Sequence, residues 1–338
     1  MRTPFVYMLL AILLLLSCSQ TPKQAFPKVK DISEYEQTQF LPTLEHRIST
    51  DTNSVYCATL LFAWDEARNI IGAPLSIPEE YQDLNMLNAS ISYLDVLKDS
   101  EYKVHGEVQG DLITARAEFD KSLPFPCELQ KFNNCLTFNG HKVAAFGVAG
   151  CDRDEMTNIV DILYYENDDN FIIKLAPTDT EHEIILFKTG ETYTTMAEMV
   201  AASDSLIKIG KQESVVDSTR WKYRFDDDDM VMIPDMSFNI SADFNKLINN
   251  TFTAKHESYR IIKAWQRIAF LLNETGAKIE SEAAVEMVLE CLELERPVRH
   301  EPKRMIFDKP FFLMLHRTDV QYPYCCMHLV NSELMVKE

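Results

Sequence analysis

The most informative run in this sequence is Ile268-Ala269-Phe270-Leu271-Leu272-Asn273-Glu274-Thr275-Gly276. Its apolar part belongs to a longer segment from Ala264 to Asn273, and such a segment is typical of a β-strand. We therefore expect a strand over residues 264–273, followed by a polar segment that contains a glycine.

Two helices are expected outside this run. The first extends from about Ser54 to Ile71, with Thr52 or Asn53 as its N-cap and Gly72 at its end. The second is short, extends from Ser241 to Ile248, and is capped by Ser241. Residues 91–97 and 102–108 fit a helix or a strand equally well.

Strands make up most of the remaining pattern. Residues 136–148 predict a hairpin, because Asn139-Gly140 is a strong signal for a two-residue turn. Further strands are expected at Ile159–Tyr165, Phe171–Leu175, Glu183–Phe187, Phe311–His316 and Tyr324–Val330. This mixture predicts an α+β fold with mostly antiparallel sheets. No break in composition divides residues 41–338, so we expect a single domain.

The charge balance and the missing motifs exclude several functions. The chain has 33 basic and 52 acidic residues, a net charge of −19, and such a surface repels phosphate backbones, so no nucleic acid partner is expected. The sequence lacks the common hydrolase, zinc-protease and phosphate-loop motifs, so we do not expect an enzyme or a cofactor. No metal site is expected either, because the histidines lack ligand spacing and Asp226–Asp229 fits a solvated turn better than a calcium loop.

The first residues have the features of an export signal. Arg2 precedes an apolar run from Phe5 to Leu16, which is too short to span a bilayer as a mature helix. Ser17-Cys18 resembles the lipobox of bacterial lipoproteins, in which the cysteine is acylated and becomes the new N-terminus. We expect a signal peptide over residues 1–17, a flexible tether over 18–40, and a protein anchored through Cys18 in the bacterial cell envelope, at the outer membrane.

Cysteines give no disulfide framework. The chain has eight, and acylation of Cys18 leaves an odd number without any C-x-x-C pair. Cys325 and Cys326 are adjacent, so they point to opposite faces of a strand. We expect the cysteines of the domain to be buried free thiols.

Several motifs in the last third of the chain resemble those of serpins. The run Ile268–Gly276 resembles the serpin strand that ends in Asn-Glu-x-Gly, and Glu282-Ala283-Ala284-Val285 resembles the serpin hinge. Phe307-Asp308-Lys309-Pro310-Phe311 is similar to the segment that follows the serpin reactive loop. Val231–Phe238 resembles the strand that carries the serpin Pro-Lys-Phe, and Leu123-Pro124-Phe125 resembles the segment after the breach strand. The resemblance is strongest over residues 225–331.

This resemblance implies a serpin-like fold with an exposed reactive-type loop over about residues 277–305. In inhibitory serpins a protease cleaves that loop, and the N-terminal part of the loop then inserts as a new strand in the central sheet. The implied hinge residues are Glu274, Gly276, Ser281, Glu282, Ala283, Ala284 and Val285. The implied cleavage site is near Leu294-Glu295, with Arg296 and Arg299 as alternatives for a trypsin-like protease. The expected partner is an extracellular or periplasmic protease, and we expect a monomer.

Residues after the hinge fit two structures. As a strand they place Ser281, Ala283, Val285, Met287, Leu289 and Cys291 on one face, which suits insertion into a core. As a helix over residues 279–292 they form an apolar stripe opposite Glu282, Glu286 and Glu290, and local propensity favours this helix. Lys278-Ile279-Glu280 is bulky and charged where serpins keep short side chains. A helical loop would imply a non-inhibitory protein that binds a peptide, glycan or protein partner.

Overall fold

The computed structural model describes residues 25–110, 112–149, 158–279 and 301–337. Within these ranges there are three α-helices, α1 (Thr59–Ile71), α2 (Gln82–Ala89) and α3 (Met196–Glu213). Three 3-10 turns lie at Ile32–Glu34, Arg220–Tyr223 and Ser332–Leu334.

Strands are far more numerous than helices in the described residues. In chain order they are β1 (Lys30–Asp31), β2 (Thr38–Leu41), β3 (Asn53–Cys57), β4 (Tyr102–Gln109), β5 (Leu112–Phe119), β6 (Lys121–Pro124), β7 (Gln130–Phe138), β8 (His141–Val148), β9 (Val160–Asn167), β10 (Asn170–Leu175), β11 (His182–Lys188), β12 (Met230–Pro234), β13 (Met236–Asp243), β14 (Thr251–Ala254), β15 (Glu257–Arg260), β16 (Trp265–Asn273), β17 (Gly276–Ile279), β18 (Arg304–Ile306), β19 (Phe311–Arg317) and β20 (Cys325–Leu329). The α+β class is therefore confirmed.

The strands form three larger sheets and two isolated hairpins. The five-stranded sheet has the order β1-β13-β16-β17-β6, the seven-stranded sheet β2-β3-β20-β19-β11-β10-β9, and the four-stranded sheet β18-β12-β8-β7. The hairpins are β4–β5 and β14–β15. Most pairs are antiparallel, while β1 with β13, β2 with β3, and β12 with β18 are parallel. One continuous apolar core joins the sheets and helices.

Most of the predicted strands are confirmed, and so is the predicted hairpin. β7 and β8 are joined by Asn139 and Gly140 at φ 45° and 85°, the backbone that a tight hairpin turn requires. Residues 102–108, for which the sequence left helix and strand open, lie in β4 (Tyr102–Gln109). The end of α1 is also as predicted, because Gly72 has φ 61° and its N–H bonds to the Arg68 carbonyl at 2.8 Å.

The predicted start of the first helix is wrong. Residues 53–57 form β3, and α1 begins only at Thr59. All five residues of β3 are buried between β2 and β20, so sheet pairing decides the local structure. Asn53 is not a helix cap: its Oδ1 accepts hydrogen bonds from the backbone N–H groups of Val330 and Asn331 at 2.9 and 3.1 Å.

Two further sequence predictions differ from the structure. Ser241 does not cap a helix, because it lies in β13 and pairs with Arg267 of β16. The tether predicted over residues 18–40 is wrong for two segments. Lys30–Asp31 pairs with β13, and Thr38–Leu41 forms β2 against β3. The Glu333 carboxylate fixes the intervening chain by accepting from Glu36 N at 2.8 Å.

Candidate functional site

A short strand, β17, lies between two others at one end of the five-stranded sheet. On one edge Gly276, Ala277 and Lys278 pair antiparallel with the last three residues of β16. On the other edge the whole of β17 pairs antiparallel with β6. The predicted hinge residues Glu274 and Gly276 thus lead into a strand that is hydrogen-bonded on both sides.

The side chains of β17 alternate between the core and the outer face of the sheet. Ala277 is buried beside Leu272, which is its partner on β16. Lys278 points to the other face, where its ammonium group lies 5.8 Å from the centroid of the Phe26 ring. Lys278 is therefore accommodated in the strand on the face opposite Ala277, where it is also buried.

The turn between β16 and β17 is held by side chains and by the segment after β6. Asn273 Oδ1 accepts hydrogen bonds from the N–H and the hydroxyl of Thr275 at 3.0 and 2.7 Å. The carbonyls of Glu274 and Thr275 accept from the N–H groups of Leu129 and Phe125, both at 2.9 Å. Such bonds satisfy the buried backbone of the turn and fix the direction in which the chain enters β17.

Glu274 adds an ion pair to this turn. Its side chain is largely buried, and its Oε1 lies 3.0 Å from Lys131 Nζ on β7. The second carboxylate oxygen, Oε2, is buried with no hydrogen-bond partner in the described residues. A buried carboxylate oxygen without a hydrogen bond costs free energy. Contacts with neighbouring residues must therefore offset this cost and hold the turn in place.

Gly276 is required by the space available as well as by its backbone. Its φ of +135° lies where side chains are rarely found. A Cβ at this position would be 2.4 Å from the Leu123 carbonyl oxygen and 2.7 Å from Pro124 Cα. The backbones of β17 and β6 approach each other this closely only because the residue is glycine.

The underside of β16 rests on the junction between β3 and α1. Gln266 Nε2 donates hydrogen bonds to the Cys57 carbonyl at 2.9 Å and to Thr59 Oγ1 at 2.6 Å. Ile268 and Phe270 are buried on the same face as Gln266. On the opposite face Trp265 is 46% exposed, so β16 has a clearly defined core side.

β6, which pairs with the outer edge of β17, is held in place by a largely buried polar cluster. Lys121 of β6 lies 3.1 Å from Asp179, and it also forms an ion pair with Glu101, whose Oε1 is 2.8 Å from His182 Nε2. Burial raises the pKa of Glu101, but hydrogen bonds from Lys121, from the Lys98 backbone and from His182 outweigh it and lower that pKa to about 2. The pKa of His182 is lowered by burial and by the nearby Lys121 charge. The cluster holds β6 as a firm edge for β17.

The chain that returns at residue 301 is anchored at a different sheet. β18 pairs in parallel with β12 of the four-stranded sheet. Just before it, Lys303 Nζ lies 2.7 Å from Asp229 Oδ2, and the two side chains are only 1% and 2% exposed. Asp229 Oδ1 also accepts from Lys303 N at 2.7 Å. The turn over Asp226–Asp229 is therefore not wholly solvated as predicted, because its last carboxylate is a buried partner of Lys303.

The residues of the predicted post-loop motif pack directly after this anchor. Phe307 and Phe311 are buried, with their ring centroids 5.0 Å apart. Asp308 Oδ1 lies 2.8 Å from Nζ of the buried Lys188, and Lys309 pairs with Asp169 at 2.8 Å. Pro310 stands immediately before β19, where a residue without an N–H is tolerated.

The structure brings together only part of the predicted site. Glu274 lies in the turn before β17, Gly276 is the first residue of β17, and Phe307–Phe311 follow the anchor of β18. Ser281, Glu282, Ala283, Ala284, Val285, Leu294, Glu295, Arg296 and Arg299 lie outside the described residues, as does Cys18. The buried pair of Lys303 with Asp229 was missed, since nothing in the local sequence marks two residues so far apart as partners.

Comparison with known proteins gives structural similarity alone. No family model matches the chain, and no curated protein matches it. Among solved structures it is similar to Serpin48, a highly specific serpin of the insect Tenebrio molitor, with a TM-score of 0.33, 11% identity, and coverage of 62% of this chain and 53% of that one. It is also similar to Tengpin, a thermophilic serpin in its native state, with a TM-score of 0.43, 8% identity, and coverage of 91% and 96%.

The chain thus spans about half the length of Serpin48 and nearly all of Tengpin. Similarities at these TM-scores give no information about activity. Among the described residues, no cluster of three or more histidine, cysteine or carboxylate side chains could hold a metal ion. No helix within those ranges is long and apolar enough to cross a membrane.

Proposed function

We propose that this chain is a serpin-like protein that inhibits a protease through cleavage of residues 280–300 and insertion of the segment after Ile279 beside β16. The observation that supports this most directly is the position of β17. This strand pairs with β16 as far as Leu271 and stops there. In the described residues, Ile268, Ala269 and Phe270 of β16 pair with a strand on one edge alone, the edge that faces β13.

The register of β17 fixes how an inserted strand would continue. Lys278 pairs with Leu271, so the same register places Ser281 opposite Ile268 and Ala283 opposite Gln266. Directly opposed residues of neighbouring strands point to the same face. Ser281 and Ala283 would therefore enter the core, and Ala284 would lie on the outer face beside the exposed Trp265.

Small residues at the core positions suit this insertion. The serine and the alanine of residues 281 and 283 add little volume to a packed interior, in which larger side chains would force strain. Every second inserted residue would also direct its backbone N–H and C=O toward the edge of β16, and each such hydrogen bond is worth on the order of 1 kcal/mol net. The small residues at positions 281 and 283 thus fall on the same face as the buried side chains of β16.

The two anchors explain why cleavage would be needed. Ile279 ends in the five-stranded sheet, and Lys303 is fixed in the four-stranded sheet by its buried pair with Asp229. An intact connection must return to Lys303, which limits how far the segment after Ile279 can advance. Once the connection is cut, that limit is removed and insertion becomes favourable.

The proposed target is a protease that attacks the Leu294 carbonyl. Its nucleophile would form an acyl-enzyme with the new C-terminus and release Glu295 as the new N-terminus. Insertion would then carry the acylated protease along the sheet before water hydrolyses the ester. Arg296 and Arg299 offer alternative sites to a trypsin-like enzyme.

We also propose that the protein is exported and anchored to the bacterial cell envelope through acylated Cys18. The support is the sequence alone, in which Ser17-Cys18 follows a short apolar run. Labelling of expressing cells with a palmitate analogue should mark the wild-type chain and leave Cys18→Ala unlabelled. Labelling of both forms would contradict the anchor without affecting the inhibitor proposal.

The inhibitor proposal is tested with a matched pair of variants. Wild-type protein is mixed with a panel of serine and cysteine proteases, and we expect a complex that survives SDS and cleavage between Glu290 and Arg304. Ala283→Glu would place a carboxylate in the core opposite Gln266, at a cost of several kcal/mol on insertion. Ala284→Glu would place it on the outer face, so this variant should behave like the wild type.

The expected result is that Ala283→Glu is cleaved at the wild-type rate but forms no complex and gains no thermal stability. Equal complex formation by both variants would contradict the register and the insertion. Cleavage of the wild type with neither a complex nor a gain in thermal stability would contradict inhibition itself.

A second candidate is a non-inhibitory protein that binds a peptide, glycan or protein partner. The observation that favours it is the amphipathic helix pattern of residues 279–292, which has glutamates four residues apart on one side. A helix there would keep the segment out of the sheet. Clean cleavage without a complex would favour this role.

A further inference from the structure

Two cysteines face each other across neighbouring strands of the seven-stranded sheet. Cys57 of β3 is directly opposite Cys325 of β20. The Ala58 N–H donates to the Tyr324 carbonyl at 3.0 Å, which identifies the two cysteines as a non-hydrogen-bonded antiparallel pair. Cα atoms of such pairs are about 4.5 Å apart, within the roughly 4.4–6.8 Å range that a disulfide spans.

The two thiols differ in their surroundings. Burial raises the pKa of Cys57, but hydrogen bonds from Cys325, from Thr59 and from the Ala58 N–H outweigh it, and the net shift is downward. The pKa of Cys325 is raised well above its usual range because its thiol is hydrogen-bonded to Cys57 and buried. Cys57 is thus the better nucleophile of the pair, and Cys325 is the proton donor.

We propose that Cys57 and Cys325 form a redox site, a dithiol that is oxidised to a disulfide joining β3 to β20. In the structure both are free thiols. The oxidant is a disulfide of a small thiol or of a thiol–disulfide oxidoreductase. The inference goes beyond the proposed inhibitor function and does not depend on it.

The reaction proceeds through a mixed disulfide. The Cys57 thiolate attacks one sulfur of the oxidant, forms an S–S bond with it and releases the first thiol. Cys325 then loses its proton, attacks Cys57 Sγ and releases the second thiol. The protein loses two electrons and two protons, and the oxidant gains them. Because both side chains are buried, the exchange requires local opening of the two strands and is therefore slow.

The disulfide would stabilise the junction between β3 and α1, which contacts β16 of the five-stranded sheet. The Cys57 carbonyl accepts the hydrogen bond from Gln266 of β16, and α1 begins two residues later. A link between residues 57 and 325 also closes a very long loop of the unfolded chain. A longer loop restricts the unfolded state more, so the expected stabilisation is large. We expect the oxidised protein to melt several degrees higher than the reduced protein.

The test is a disulfide map of the folded full chain after incubation with oxidised glutathione. Free thiols are alkylated at acidic pH, and the protein is digested with trypsin. We expect a disulfide between the fragments 48–68 and 318–337, and a higher melting temperature that dithiothreitol reverses. Cys57→Ala and Cys325→Ala should lose the link, while Cys326→Ala should keep it, because Cys326 pairs opposite Tyr56 instead.

Absence of the link at every glutathione ratio, in protein that remains folded by circular dichroism, would overturn the proposal. Retention of the link in Cys325→Ala would overturn it as well, because Cys326 would then be the partner. The wild-type map gives a result even where a variant fails to fold.

Discussion

Replacement of Gly276 tests how closely β17 is held against β6. The backbone at this position has φ +135°, and an alanine Cβ would lie 2.4 Å from the Leu123 carbonyl oxygen. The unfavourable φ costs about 1–3 kcal/mol. Relieving the overlap with backbone atoms costs about 1–3 kcal/mol more. We expect Gly276→Ala to lower the free energy of unfolding by about 2–6 kcal/mol.

Two other glycines separate these contributions. Gly140 has φ +85° with nothing within 4 Å of an added Cβ, so Gly140→Ala measures the backbone cost alone. An added Cβ at Gly190 also meets nothing within 4 Å, and the φ of Gly190 is not in the positive region, so Gly190→Ala should be nearly neutral. The assay is urea unfolding followed by circular dichroism and tryptophan fluorescence. A cost for Gly276→Ala no larger than that of Gly140→Ala would refute the close approach of β17 to β6.

Two more predictions concern the buried pair of Lys303 with Asp229 and the dependence of the unfolding free energy on pH. Lys303→Met leaves Asp229 buried without its partner and should lower the free energy of unfolding in urea by about 3–5 kcal/mol. Lys309→Met breaks the exposed pair with Asp169 and should lower it by at most about 1 kcal/mol. Equal costs for the two variants would contradict the burial of the first pair. Burial lowers the pKa of His328 to about 4, below the unfolded value of about 6.5, so the contribution of His328 to stability should fall by about 3 kcal/mol as pH drops from 6.5 to 4. His328→Gln should make the pH dependence of the unfolding free energy shallower by this amount, while His182, whose pKa is also lowered, keeps its own contribution. An unchanged slope would contradict the assignment.

The sequence predicts those parts of the fold in which local pattern and tertiary structure agree. The hairpin at Asn139-Gly140 and the strand ending at Asn273 are of this kind, because turn chemistry and an apolar run point to the same structure. The start of α1 was predicted wrongly because residues 53–57 are all buried between two strands, and their burial overrides a plausible N-cap. Ser241 was misread for a similar reason, since β13 pairs along its full length with β16.

In the candidate site, too, features set by the local sequence could be predicted, and features set by tertiary structure could not. Gly276 and Glu274 could be singled out from the motif at the end of the strand. Glu274 lies in the turn before β17, and Gly276 begins β17. The pair of Lys303 with Asp229 could not be predicted, because it depends on β18 lying next to β12. The cross-strand position of Cys57 and Cys325 likewise depends on sheet register rather than on spacing along the chain.

The most direct test of insertion is hydrogen exchange of β16 before and after protease cleavage. The experiment follows the amides of residues 265–272 by mass spectrometry, in intact protein and in protein cut between residues 290 and 304. If the segment after Ile279 joins the sheet, exchange of this peptide should slow after cleavage in the wild type and in Ala284→Glu, and remain unchanged in Ala283→Glu. Unchanged exchange in fully cleaved wild-type protein would contradict the account.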